Sequence, residues 1–182
     1  MTGPIYAEIE RVDRLSAEDF RRFYDLPMKP VVITGALSEW PAMSQWDHEW
    51  FKQAYGTKVV SLSSNPRHTE KVLKMRLADY VDCILSGTDE QLYMNQYPAG
   101  EFPGLFDYFQ TPAYCNPERQ IDIVLWLGPA GTILGFHKDN HNPYDWINNI
   151  FVQIRGRKHV VLASPDQDPF IYQRMREGKD YW

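Results

Sequence analysis

Only two cysteines, Cys83 and Cys115, occur in 182 residues. Two thiols make no disulfide framework, so packing must hold the core, and reduced thiols in a cytoplasm are the simple expectation. Positive charge is also scarce. Nineteen Lys and Arg face 24 Asp and Glu, for a net charge of -5, and no stripe of basic residues runs along any segment. The electrostatic footprint of a nucleic-acid partner is therefore missing. No apolar run approaches the ~20 residues that a membrane helix needs. The first residues show no basic-then-apolar secretory pattern. Repeats, low-complexity tracts and linkers are absent as well. Aromatics, by contrast, are plentiful at 14%, which suits a barrel filled with large side chains. The length predicts one domain over residues 1–182 with a sizeable core. A helix-and-strand part spans about 1–118 and a β core about 119–182.

Residues 1–15 read as an irregular lead-in. Ser16 is placed to cap a helix with acids in its first turn, carrying Phe20, Phe23 and Tyr24 and ending at Pro27. Pro30 to Thr34 reads as a strand and Trp40-Pro41 as a turn. Asp47 is placed to cap a helix with Trp50, Phe51 and Tyr55, stopped by Gly56. Thr57 to Leu62 reads as a strand and Ser63 to His68 as a polar loop. Leu77, Tyr80, Val81, Ile84 and Leu85 mark an amphipathic helix that ends at Gly87. Gln91 to Tyr97 reads as a strand. An ordered loop then follows to Asn116, with a helical turn at Leu105 to Phe109.

Four short apolar runs come next: Ile121 to Gly128, Thr132 to Phe136, Ile150 to Ile154 and Lys158 to Ala163. Pro129-Ala130-Gly131 separates the first two, and Arg155-Gly156-Arg157 the last two. Short strands with glycine turns suggest a sandwich or barrel. His137-Lys138-Asp139 stands at the end of the second run. On a strand, residues i and i+2 share a face, so His137 and Asp139 converge while Lys138 turns away. An imidazole and a carboxylate so placed are two-thirds of the triad of two histidines and one carboxylate that holds Fe(II). The bare tripeptide is weak, since most such pairs are surface contacts.

The wider pattern resembles the cupin-like branch of the Jumonji C family, the Fe(II)/2-oxoglutarate oxygenases that include the asparaginyl hydroxylase of hypoxia-inducible factor. The residues that carry this are His137 and Asp139, then Asn149-Ile150-Phe151-Val152-Gln153-Ile154-Arg155-Gly156-Arg157-Lys158, then Val160 to Leu162 and Pro165-Asp166-Gln167. Pro30 to Gly35 with Trp40-Pro41 matches the family's N-terminal strand, and Leu92 to Gln96 its tyrosine-bearing strand. The resemblance implies a mainly β fold: a double-stranded β-helix of cupin or jelly-roll type, with flanking N-terminal helices. It implies Fe(II) on His137 and Asp139. Lys158 is implied as partner of the far carboxylate of the cosubstrate 2-oxoglutarate, because an unpaired buried charge is very costly. Tyr93 would donate its hydroxyl to that carboxylate, and Asn149 would bond the cosubstrate. Read by themselves, Lys158 is a strand lysine snorkelling to water, Tyr93 a half-buried sheet tyrosine and Asn149 a turn residue. The basic cluster Arg155, Arg157 and Lys158 is best explained by a turn and a buried anion.

The sequence also departs from the family. Leu134 stands where a threonine often bonds the cosubstrate. Residues 140–148 are longer than the compact pattern, and hold His141, Tyr144, Asp145 and Trp146 as either a substrate-gating loop or a surface insertion. The third metal ligand of the family is a later histidine, and none follows His159. His141 would need three consecutive same-face positions to reach one metal, and His159 points opposite to Lys158. The expectation is therefore an incomplete β-helix, either part of a longer oxygenase or a half-barrel. Exposed sheet edges would favour pairing, and hence a homodimer. The implied function is hydroxylation of a protein, peptide or small-molecule substrate, with no nucleic acid or membrane partner. Two rivals stand beside it: a non-catalytic cupin-like binding module, and a non-redox metal-dependent cupin, for which Lys158 has no evident use.

Overall fold

Ser16 opens the first helix as its sequence requires: its Oγ accepts the Asp19 amide at 3.0 Å. Such a cap satisfies one of the amides that a helix start leaves without an intrahelical partner. Helix α1 (Ala17–Phe20) widens at once into a π-helical stretch, Arg21–Asp25. The computed structural model describes residues 7–63, 72–87, 92–116, 118–119, 121–135, 137, 148–164, 166–167, 174–176 and 179–181.

The chain divides into two units, Met1–Gln45 with Pro103–Asp122 and Trp46–Phe102 with Ile123–Trp182. In the first unit β1 (Arg11–Asp13) pairs in parallel with β2 (Val32–Thr34), Val12 opposite Ile33. The irregular lead-in expected over residues 1–15 thus holds a strand. Three residues carry too little periodicity to be seen alone, and the partner that makes them a strand lies about twenty residues away. The turn expected at Trp40-Pro41 is the start of helix α2 (Pro41–Gln45). Proline suits a first helical position because the amide it lacks would have no partner there. Tyr114 anchors the returning segment: its ring packs on Phe20 at 5.1 Å and its hydroxyl donates to the Leu15 carbonyl at 2.7 Å.

In the second unit Asp47 Oδ1 accepts the Trp50 amide at 2.8 Å and caps helix α3 (His48–Tyr55). Strand β3 (Val59–Ser63) runs antiparallel to β4 (Val72–Arg76). Helix α4 (Leu77–Ser86) follows directly. It buries Leu77, Tyr80 and Val81, the i, i+3, i+4 stripe of its sequence, and ends at Gly87 in the left-handed conformation (φ 67°). Strand β5 (Met94–Pro98) pairs antiparallel with β6 (Val124–Leu127), Met94 opposite Leu127 and Tyr97 opposite Leu125. The register shifts between those pairs, where Gln96 takes a positive φ of 49°. Ser63 and Tyr93 exchange two backbone hydrogen bonds of 2.9 Å, which join the β3–β4 pair to the start of β5. Phe51, Tyr55, Tyr97 and Phe102 pack edge to face beneath these strands, with Tyr55 and Tyr97 at 5.0 and 5.4 Å from Phe102.

Past β6 the expectation and the structure part. Strands were expected at Thr132–Phe136, Ile150–Ile154 and Lys158–Ala163. Residues 132–135, 150–154 and 158–163 form no ladder, and Phe136 lies outside the described residues. Alternation marks a segment that can be a strand, but only a partner's amides and carbonyls make it one. The expected turn is present, with Gly156 at φ 73° in a bend. A further hairpin, β7 (Arg174–Arg176) with β8 (Lys179–Tyr181), was not anticipated. Among the described residues the strands form two-stranded pairs and no closed barrel.

Candidate functional site

Tyr93 sits between the bridge to Ser63 and the start of β5, and it is buried. Its ring lies against Gly128, just past β6. A Cβ at Gly128 would stand 2.5 Å from Cδ2 and 2.9 Å from Cε2 of that ring, so only glycine leaves room for it. Trp126 flanks Tyr93 with its ring centre 5.6 Å away. Burial pushes the Tyr93 phenol up to about 12, so it stays protonated and able to donate at neutral pH.

Lys158 comes from a segment 65 residues further along the chain. Its Nζ lies 3.4 Å from the Tyr93 hydroxyl, at the long limit of a hydrogen bond. The ammonium stands 4.8 Å from the ring centre of Trp126, 4.5 Å from Phe151 and 5.9 Å from Tyr93. Aromatic faces attract a cation, though less well than water or a carboxylate does. Desolvation accordingly holds the Lys158 pKa below the usual lysine value. Lys158 makes no ion pair among the described residues. Two residues singled out for one carboxylate thus meet across 65 positions of sequence.

These groups fit an anion. The ammonium is partly stripped of water and lacks a counter-charge among the described residues. The phenol accepts from Lys158, which leaves its own hydrogen for a second acceptor. A carboxylate beside both would receive a charge-assisted hydrogen bond from the ammonium, which is stronger than a neutral one, and a second bond from the phenol. Phe151 and Trp126 had been read only as part of a motif and of an apolar run, without a role at the site. The aromatic richness of the chain hinted at such a lining but not at which rings form it.

The metal pair stands differently. His137 is exposed, and its Nδ1 donates to the Gly135 carbonyl at 2.7 Å. A carbonyl only accepts, so Nδ1 carries a hydrogen. Metal-binding histidines are commonly oriented by a hydrogen bond of this kind. Asp139 and His141 lie outside the described residues. Among the described residues no three His, Cys, Asp or Glu side chains converge on one point. Asn149 is exposed, His159 is exposed, and Leu134 is half-buried. No helix among the described residues is long and apolar enough to cross a membrane.

A family model, the cupin-like domain, matches residues 17–181. The chain is 29% identical over 177 residues to lysine-specific demethylase 8 of Danio rerio, covering 91% of this chain and 42% of that protein. It is 30% identical over 165 residues to lysine-specific demethylase JMJ30 of Arabidopsis thaliana, covering 85% of this chain and 37% of that one. It is 25% identical over 188 residues to the human bifunctional peptidase and (3S)-lysyl hydroxylase JMJD7, covering 87% and 58%. The chain therefore spans about two-fifths to three-fifths of the length of these relatives. With the match running through nearly all of its described strands and helices, the chain belongs to the cupin-like domain family, in its Jumonji C branch.

Proposed function

We propose that this protein is an Fe(II)- and 2-oxoglutarate-dependent oxygenase that hydroxylates a protein or peptide substrate. The observation that carries the reading is the approach of Lys158 Nζ to the Tyr93 hydroxyl at 3.4 Å, beside the rings of Trp126 and Phe151. Lys158 and Tyr93 bind the far carboxylate of 2-oxoglutarate, and Asn149 adds a hydrogen bond to the cosubstrate. His137 and Asp139 would hold Fe(II), with the His137 ring oriented by the Gly135 carbonyl. The metal and cosubstrate supply the oxidation: one atom of O2 enters a substrate C–H bond, the other enters succinate, and CO2 leaves. The chain's own part is to bind, to orient and to keep water away. Trp126 and Phe151 stand beside the ammonium and take part of its surface from water, which strengthens its hold on a carboxylate. A protein or peptide is the favoured substrate class because the relatives are named as lysine-specific demethylases and a lysyl hydroxylase. The architecture in this reading is a double-stranded β-helix within one domain over 1–182, with the β3–β4 and β5–β6 pairs and the Ser63–Tyr93 bridge as its support. The compartment is a reducing cytoplasm, in keeping with Cys83 and Cys115 forming no disulfide.

The rival reading is a cupin-like binding module without catalysis. Metal binding separates the two. Anaerobic Fe(II) titration should show much tighter binding to the unaltered chain than to His137→Ala. Equal affinity in both would remove the metal from this segment and leave the binding module standing.

A further inference from the structure

Tyr80 is the central side chain of α4 and is 1% exposed. Its hydroxyl lies 2.7 Å from the Leu127 carbonyl and 2.9 Å from the Leu92 carbonyl, and accepts the Met94 amide at 3.3 Å. One phenolic hydrogen is shared by two carbonyls while the oxygen takes a third backbone group. These three attachments are not scattered. Leu92 and Met94 are the neighbours of Tyr93 on either side. Leu127 precedes Gly128, the residue whose missing Cβ makes room for the Tyr93 ring. The hydroxyl therefore ties together both surfaces of the contact that places Tyr93. A phenylalanine would fill the same apolar space. Burying a hydroxyl costs free energy unless it is bonded, so the oxygen is accounted for by the backbone it holds.

We propose that Tyr80 is a positioning residue for the cosubstrate site, acting through Tyr93. The inference rests on the reading above, in which Tyr93 and Lys158 receive a carboxylate of 2-oxoglutarate. Met94 and Leu127 are the first register pair of β5 and β6, and the register shift comes right after it. A ladder broken that close to its end holds its terminal pair weakly, and the hydroxyl of α4 supplies the missing tie. Tyr93 has one ring face set by Gly128 and its backbone set by Ser63 and Tyr80. Its hydroxyl is then held where Lys158 Nζ reaches it.

The test is a double-mutant cycle on 2-oxoglutarate binding, read by calorimetry with Mn(II) as the redox-inert metal. It compares the unaltered chain, Tyr80→Phe, Tyr93→Phe and the double variant. Tyr80→Phe should weaken binding roughly three- to tenfold, the size of one net hydrogen bond, and should cost almost nothing further once Tyr93 is phenylalanine. A purely structural tyrosine would lose the same factor in both backgrounds, and that result overturns the proposal. So does unchanged affinity in Tyr80→Phe. No binding by the unaltered chain would instead sink the cosubstrate reading and this proposal with it. Binding that Tyr93→Phe weakens and Tyr80→Phe does not would sink this proposal alone. Should Tyr80→Phe fail to fold, amide exchange in the unaltered chain decides. Protection at Met94 that rises with 2-oxoglutarate supports the role, and exchange indifferent to it overturns the role.

Discussion

Lys158 is a cation set among three aromatic rings, and that setting has a consequence for pH. Desolvation lowers its pKa, so the folded chain releases this proton before an unfolded lysine does at about 10.5. Between the lowered value and 10.5 the unfolded state binds more protons, so this residue's contribution to stability rises with pH. Cosubstrate binding has the opposite sign, because a carboxylate needs the charged ammonium. We expect 2-oxoglutarate affinity to fall as pH rises through the lowered Lys158 value, with no such fall in Lys158→Met. Calorimetric titration across alkaline pH checks this, and identical pH profiles in the two proteins would count against it. The chemistry of Lys158 was legible in the sequence only through the family pattern around it. Alternation with Val160 and Leu162 says that it shares a face with apolar residues, but not which rings stand there. Trp126 and Phe151 come to it from runs that each look like ordinary core.

The elements that were legible are those whose signals are local. Ser16 and Asp47 cap their helices because a side-chain oxygen and a nearby amide lie within one turn of each other. Gly87 ends α4 because it alone tolerates the left-handed conformation there without strain. What stayed hidden was pairing: β1 needs β2, and β4 needs β3, across intervening chain. Over residues 132–135, 150–154 and 158–163 the converse holds among the described residues, since the pattern is present and the ladder is not. Gly128 shows how an element end serves the site. It closes β6 and leaves space for the Tyr93 ring, so Gly128→Ala must move that ring or its own backbone. We expect a loss of about 1–3 kcal/mol in stability from overpacking, measured by urea unfolding. We also expect a loss of 2-oxoglutarate affinity as large as that of Tyr93→Phe. Full affinity in Gly128→Ala would show that the ring's position does not matter to binding.

On the scale of the whole molecule, the second unit brings a lysine and a tyrosine 65 positions apart to within 3.4 Å of each other. The family match spans residues 17–181, and the β3–β4 and β5–β6 pairs sit inside it. In the proposed reading the anion end of the site would rest on Lys158 and Tyr93, and the metal end on His137, Asp139 and a third ligand. The anion end is where the geometry speaks most directly, so the decisive measurement belongs there. It is a titration of 2-oxoglutarate, with Mn(II) in place of iron, into the unaltered chain and into Lys158→Met, which keeps the stem and removes the charge. A charge-assisted contact of this kind contributes about 1.5–3 kcal/mol. The account predicts that the unaltered chain binds and that Lys158→Met binds at least about tenfold more weakly. Equal binding by the two would contradict it, and would make Lys158 a lysine that merely lies on aromatic rings.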